Sequence, residues 1–311
     1  MTPARLTSRV MGLLAGGFQT FRWMWRHPLG ARDRTGTLAR WLRWQVGSRI
    51  LRSSAVVSFV DDTVLLVDPG MTGATGNIYV GLHEFADMAF VLHFLREGQR
   101  FVDVGANVGT YTILASGVCG AETLAVEPIP STFARLSANV RLNDIAHRVR
   151  LHNVGLAAKP GRLSFTSSLD TVNHVVGNDT GVAGASIEVP VVTLDELVGD
   201  RRPVLIKVDA EGFEREVFAG GTATLADPAL QAMIVELNEP AAARYGASDA
   251  ELARRFESVG FRRYSYEPFA RCLAPAPPGP FEGNALYLRD PDAVQRRLTE
   301  ARAFRVHGTN V

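Results

Sequence analysis

From residue 100 onward, short apolar runs alternate with stretches of helical periodicity, and this alternation restricts the fold more than any other feature of the chain. Strands are expected at 100–104, 123–126, 149–153, 204–208, 233–237 and 285–288, with helices at 108–116, 131–143, 214–219 and 249–259. Strands joined through helices pair in parallel by right-handed crossovers, so the pattern predicts an open α/β sheet with helices on both faces. Two extended stretches, 162–166 and 188–192, interrupt the alternation and predict an inserted hairpin around a polar loop at 167–184. The proline-rich segment 274–280 is expected to be a loop that is neither helix nor central strand.

Upstream, 55–60 and 63–67 predict a short hairpin turning at Asp61 and Asp62, and 83–95 predicts a helix ending near Gly98. The glycine-rich segment 69–77 reads as a flexible loop. The first 52 residues stand apart. They hold ten arginines against one acid, Asp33, a charge of +9 in a chain whose total is +1, and all four tryptophans. A helix at 37–51 with an aromatic side on the main domain and arginines in water accounts for this, since only one face needs burial. The other reading is a surface for an anionic membrane or polyanion. No segment approaches the roughly 20 apolar residues of a membrane span. The apolar stretch 10–18 is short, broken by Gly12, Gly16 and Gly17 and followed by more arginines, so a secretory signal is not expected. A composition of 46% hydrophobic and 21% charged residues excludes global disorder. Two cysteines in 311 residues exclude a disulfide framework and suit a reducing cytoplasm.

Three strand ends carry the chemistry. The first runs into Asp103-Val104-Gly105-Ala106-Asn107-Val108-Gly109, and a helix follows. Glycines let backbone N–H groups approach a ligand, and a helix N-terminus favours negative groups. A dinucleotide enzyme would place Gly-x-Gly-x-x-Gly here; the acid at this strand end suits a cationic or amine-bearing ligand better than a pyrophosphate. The second strand ends in Glu127-Pro128, where an acid can accept the hydroxyls of a ribose. The fourth places Lys207, Asp209 and Glu211 on one side of an extended chain, at the edge that faces the ligand crevice of an open sheet. Such charges are costly to bury unless paired, so they mark a working site or a salt-bridged framework. Glu236 and Asn238, ending the fifth strand, either shape an acceptor pocket or are ordinary strand-end polar groups. No metal is expected: the histidines are scattered and His-Glu-x-x-His is absent, with Asp209 and Glu211 the weaker alternative as ligands of a divalent ion. Gly-x-Ser-x-Gly is also absent.

Together, FVDVGANVGTYT (101–112), AVEPIPSTFARLSANVRLN (125–143) and LIKVDAEGFE (205–214) resemble the FkbM-type methyltransferases, a likeness covering roughly 77–290. The resemblance implies the seven-stranded, mostly parallel, Rossmann-like fold of S-adenosylmethionine-dependent enzymes, with an N-terminal helical and hairpin extension over 1–76 and a C-terminal helix and tail over 291–311. It implies methyl transfer, commonly to an oxygen of a sugar, polyketide or other natural product. Cofactor contacts are implied from Asp103, Gly105, Asn107, Gly109 and Glu127, with Asn153 or Val154 near the adenine and Glu84 at the methionine end. For the acceptor, Asp209, beside Lys207 and Glu211, is the first candidate to bind or activate a hydroxyl, and His174 in the polar insertion is the second. The expected partner is a small-molecule or saccharide acceptor and no specific nucleic acid, in the cytoplasm, with peripheral membrane contact through 1–52 left open. Two rivals are an NAD-type dehydrogenase and a non-catalytic, membrane- or polyanion-associated nucleoside-binding protein.

Overall fold

The computed structural model describes residues 17, 19–51, 53–69, 71–166, 174–175, 186–277, 279 and 281–311. The expectations for 10–16 and for most of the loop 167–184 therefore lie outside the described residues. The main sheet has eight strands, labelled here in chain order: β1 Arg100–Val104, β2 Glu122–Val126, β3 Val149–His152, β4 Leu205–Val208, β5 Ala232–Leu237, β6 Arg262–Glu267, β7 Cys272–Pro275 and β8 Gly283–Leu288. Their spatial order is β7-β6-β8-β5-β4-β1-β2-β3. The five strands from β5 to β3 pair in parallel, whereas β8, β6 and β7 join antiparallel.

The chain's pattern predicts six strands and the family resemblance implies seven, so the eighth is a correction. It is β7, an edge strand whose last two residues, Ala274 and Pro275, open the proline-rich segment. A proline is tolerated there because an edge strand leaves one row of N–H groups unpaired. Strand β6 was also unexpected, because Arg262-Arg263-Tyr264-Ser265-Tyr266-Glu267 is polar and of its residues only Tyr266 is buried.

Successive residues of each central strand alternate between two cores. Phe101, Ala125, Leu205 and Ile234 enter one; Val102, Val104, Ile206, Val208 and Val235 enter the other. Burial on both faces explains why these strands read as continuous apolar runs. Each fully buried side chain of this kind contributes about 1.5–3 kcal/mol.

A second correction concerns 69–77. The segment is not a loop throughout: Thr72–Val80 is a helix. Ala74, Ile78, Tyr79 and Val80 are buried, and Asn77, also buried, accepts the His83 N–H at 2.9 Å. Tertiary burial outweighs the helix-breaking tendency of Gly73 and Gly76, which costs about 1 kcal/mol per glycine. At Gly76 a Cβ would lie 2.4 Å from the His83 ring, so the glycine permits a close approach.

The expected hairpin is present as Ala55–Ser58 paired with Val64–Val67. It is fastened to the helix Pro130–Leu142 and the residue that caps it by two asparagines one turn apart. Asn139 Oδ1 accepts the Leu66 N–H at 2.7 Å, and Asn143 Oδ1 accepts the Val64 N–H at 2.8 Å. Asn139 Nδ2 also donates to the Val108 carbonyl at 2.9 Å, tying the glycine-rich turn to the same scaffold. The helix expected at 37–51 spans Arg34–Leu51. Trp23, Trp41 and Trp44 pack against the main core, as do Phe304, Val306 and Val311 near the other terminus.

Candidate active site

The turn after β1 is built from backbone. Gly105 and Gly109 have φ of +72° and +92°. At Gly105 a Cβ would stand 2.0 Å from the Asp209 carbonyl oxygen, so only glycine lets the turn seat against the end of β4. Asn107 adopts a left-handed conformation, φ +51°. Its N–H donates to Glu127 Oε2 at 3.0 Å, and the Ile129 N–H donates to Oε1 at 2.9 Å. Burial pushes the Glu127 carboxyl up to about 7, partly opposed by these two bonds. Asn153 does not stand free beside this acid: its amide donates to the carbonyls of Glu127 and Pro128 at 2.8 and 3.0 Å.

An open cleft of about 690 Å³, mouth included, lies between these elements. Gly105, Asn107 and Glu127 line one side, Asp209 and Glu211 another, and Ile129, Leu156, Phe165 and Val175 give it an apolar wall. Phe165 and Val175 come from the insertion, where Gly161–Thr166 pairs with Ser186–Val192.

Behind the turn, Asp103 on β1 stands directly across from Lys207 on β4. Asp103 is 1% exposed; one carboxylate oxygen accepts from Thr112 Oγ1 at 2.6 Å, and the other is buried without a partner. Burial, opposed by Lys207, raises its pKa. Lys207 is itself 3% exposed and donates to Asp209 Oδ2 at 2.9 Å. Burial works against the ammonium charge, but Asp209, Glu84 and Asp103 outweigh it and hold the lysine charged above its ordinary range. Its Nζ also lies 4.8 Å from the Tyr111 ring centre.

Glu84, predicted on a helix, stands at the N-cap position of the helix Phe85–Phe94, with its side chain turned to other partners. Its carboxylate accepts from Tyr111 Oη and Asn284 Nδ2, both at 2.8 Å. Burial and then Glu84 push the neighbouring Asp87 up to about 7. Across the cleft, Glu211 sits at φ +53°. Burial and then Asp209 and Glu214 push its carboxyl to about 7. Buried Glu214 braces the loop, its Oε1 accepting the N–H groups of Ala210 and Gly212 at 2.9 and 3.2 Å. On Glu236 of β5, burial, then Asp209 and Glu211, raise the pKa well above the ordinary carboxyl value. Oxygens of Asp209, Glu211 and Glu236 lie within 4.8 Å of one another, close enough to share a proton or surround one cation.

The structure thus brings together Asp103, Gly105, Asn107, Gly109 and Glu127 around the turn, and Lys207, Asp209 and Glu211 at the end of β4. His174 is held beside the insertion, its N–H donating to Thr166 Oγ1 at 3.0 Å, while Val175, the next residue, lines the cleft. Asn238 is a helix N-cap, accepting the Ala241 N–H at 3.1 Å. Tyr111, Asn284, Asp87 and Glu214 were not expected. Only Glu214 leaves a sequence signal, a second acid three residues after Glu211.

A parallel sheet with a glycine-rich turn after its first strand and an acid ending the second defines a Rossmann-like domain of the nucleoside-binding type. The FkbM methyltransferase domain matches residues 103–263, and the chain belongs to that family. Hexuronic acid methyltransferase AglP of Haloferax volcanii is 34% identical over 154 residues, covering 48% of this chain and 59% of that protein. The 31-O-demethyl-FK506 methyltransferase FkbM of Streptomyces tacrolimicus is 28% identical over 169 residues, covering 44% and 65%. The chain therefore spans about three-fifths of the length of these relatives. Among solved structures, methyltransferase FkbM from Methylobacillus flagellatus aligns with a TM-score of 0.44 at 16% identity, over 68% of this chain and 52% of that one. Membership in this family does not favour the dehydrogenase reading.

Proposed function

We propose that this chain is an S-adenosylmethionine-dependent methyltransferase acting on a hydroxyl of a saccharide or another small natural product. One observation carries the reading. Gly105 seats the ligand-binding turn against the Asp209 carbonyl, so a nucleoside held by the turn has its far end beside the acids of β4. The residues fit this cofactor: the unpartnered oxygen of buried Asp103 suits an amine, Glu127 suits ribose hydroxyls, and the apolar wall suits a flat base. The relatives named above act, by their names, on a hexuronic acid and on 31-O-demethyl-FK506.

S-adenosylmethionine supplies a methyl group on a positive sulfonium for in-line displacement. The protein's part is to align the acceptor, a contribution of at most about 7–11 kcal/mol, and to take up the hydroxyl proton, about 10²–10⁴-fold in rate. Asp209 accepts that proton as the new oxygen–carbon bond forms, and Lys207 Nζ, 2.9 Å away, holds the carboxylate in position before transfer. Glu211 and Glu236 bind further hydroxyls of the acceptor. His174 is the second candidate for the base. The methyltransferase unit is taken as 77–290, flanked by the extension 1–76 and the tail 291–311. The location proposed is cytoplasmic, with residues 1–52 the segment that would meet a membrane; no described helix is long and apolar enough to cross one.

Calorimetric titration with S-adenosylmethionine, S-adenosylhomocysteine and NAD tests the cofactor. Binding of NAD without either sulfur nucleoside would overturn the reading. Incubating cell extract with the protein and methyl-labelled cofactor, followed by mass spectrometry, should reveal a labelled product.

A further inference from the structure

We propose that the outward face of the helix Arg34–Leu51 docks on an anionic lipid surface. The inference rests on the proposed membrane location and is independent of methyl transfer. The tryptophans of this helix, Trp41 and Trp44, turn inward and pack on the core. What they leave outside is aliphatic: Leu42, Val46 and Ile50 are 48%, 57% and 72% exposed. Spaced by four residues each, they form one stripe along a helix about 27 Å long. On a helix packed against a domain, the outward face is ordinarily polar.

The charges beside the stripe are of one sign. Arg34, Arg43 and Arg49 are exposed and the helix contains no acid; Asp33, just before it, is paired with Arg40 at 2.9 Å. At the N-terminal end the Arg34 guanidinium covers the ring of Trp25, itself 41% exposed. An apolar stripe flanked by arginines matches the interface of an anionic bilayer, where the aliphatic groups enter the acyl boundary and the cations meet phosphates. A nucleic acid would use the arginines and leave the stripe in water. A second copy joined symmetrically through this face would set arginines against arginines.

Flotation of the full chain with vesicles tests the proposal. The protein should float with vesicles containing about one-third phosphatidylglycerol, remain behind with pure phosphatidylcholine, and be released by high salt. Replacing Arg43 and Arg49 by Gln should weaken partitioning about 25-fold, from ~5-fold per arginine. Val46→Asp with Ile50→Asp should abolish flotation while leaving the melting temperature and S-adenosylmethionine affinity unchanged. Flotation of the wild type but equally of the Asp variant would keep the membrane location and overturn this face as its cause. Absence of flotation would overturn both, leaving cofactor binding as a separate test of methyl transfer. A dimer in light scattering that the Asp variant dissociates, without vesicle binding, would assign the face to a second copy and overturn the lipid proposal.

Discussion

The two sides of the cleft are built by different means. On the cofactor side the turn itself is built from backbone: Glu127 is held by the N–H groups of Asn107 and Ile129, and Gly105 and Gly109 shape the chain, while Asp103 behind it is held by the Thr112 hydroxyl. On the acceptor side the polar groups are met by other side chains, with Asp209, Glu211 and Glu236 crowded together and Lys207 the buried cation among them. A backbone-built site is rigid and tolerates little change in shape. A site of like charges is held by a balance of protons and one lysine, so it should respond to pH and to charge. Substitution and pH separate these two behaviours.

The largest effect should come from Gly105→Ala, because this residue joins the two sides. Its φ of +72° disfavours a side chain, and the added carbon would meet the Asp209 carbonyl at 2.0 Å. Together these should cost about 2–5 kcal/mol of stability. Thermal melts should show the loss, and calorimetry should show no S-adenosylmethionine binding. A variant that melts and binds like the wild type would mean the turn and β4 are not locked together. Next, Asp209→Asn should keep the cofactor affinity within a few-fold and lower turnover by about 10²–10⁴. Normal turnover would remove Asp209 as base and move attention to His174. Asp103→Ala should do the reverse in kind, weakening cofactor binding about 10–100-fold through the loss of a charged hydrogen-bond acceptor.

The same contrast explains what could be read in advance. The apolar runs of β1, β2, β4 and β5 were legible because burial on both faces leaves no polar alternation. The turn was legible because its function is local: strand, glycines and helix are contiguous, as in Asp103 to Gly109. The acceptor side was legible only in part. Lys207, Asp209 and Glu211 share one strand end, but Glu236 arrives from β5, and the Glu84 carboxylate is met by Asn284 from β8 and Tyr111 from the helix after the turn. Their meeting depends on the strand order β8-β5-β4-β1, which no spacing in the chain encodes. The helix Thr72–Val80 was hidden for another reason: its glycines suggest a loop, and only contacts such as Gly76 against His83 make them useful.

The acid cluster should also write itself into stability against pH. Glu211 titrates near 7 in the folded protein against an ordinary 4.5, and Glu236 is raised further in the same direction. A folded state that keeps protons the unfolded chain has released is favoured at low pH. The stability from these groups is therefore complete below about 4.5 and is lost as pH rises through 7 and beyond. Melting temperature should fall across that window in the wild type. The fall should be shallower in Glu236→Gln, which keeps the shape and removes the charge. Equal slopes would show that the proton is not held in this cluster.

The smallest effect tests the cofactor side from behind. Asn153 was expected near the adenine, yet its amide bonds the carbonyls of Glu127 and Pro128. Two such bonds are worth about 1–3 kcal/mol together. If Asn153 acts by positioning, Asn153→Ala should raise the S-adenosylmethionine KM several-fold with kcat nearly unchanged, because Glu127 loses alignment while the acids of β4 do not. Asn153→Asp supplies no donor and should behave like Ala, whereas direct contact of this side chain with the base would make the two variants differ. Matching kinetics for Ala and Asp would place Asn153 among the supports of the backbone-built side. Divergence between them would give that side a specificity element carried by a side chain, and the division between the two halves of the cleft would no longer hold at this position.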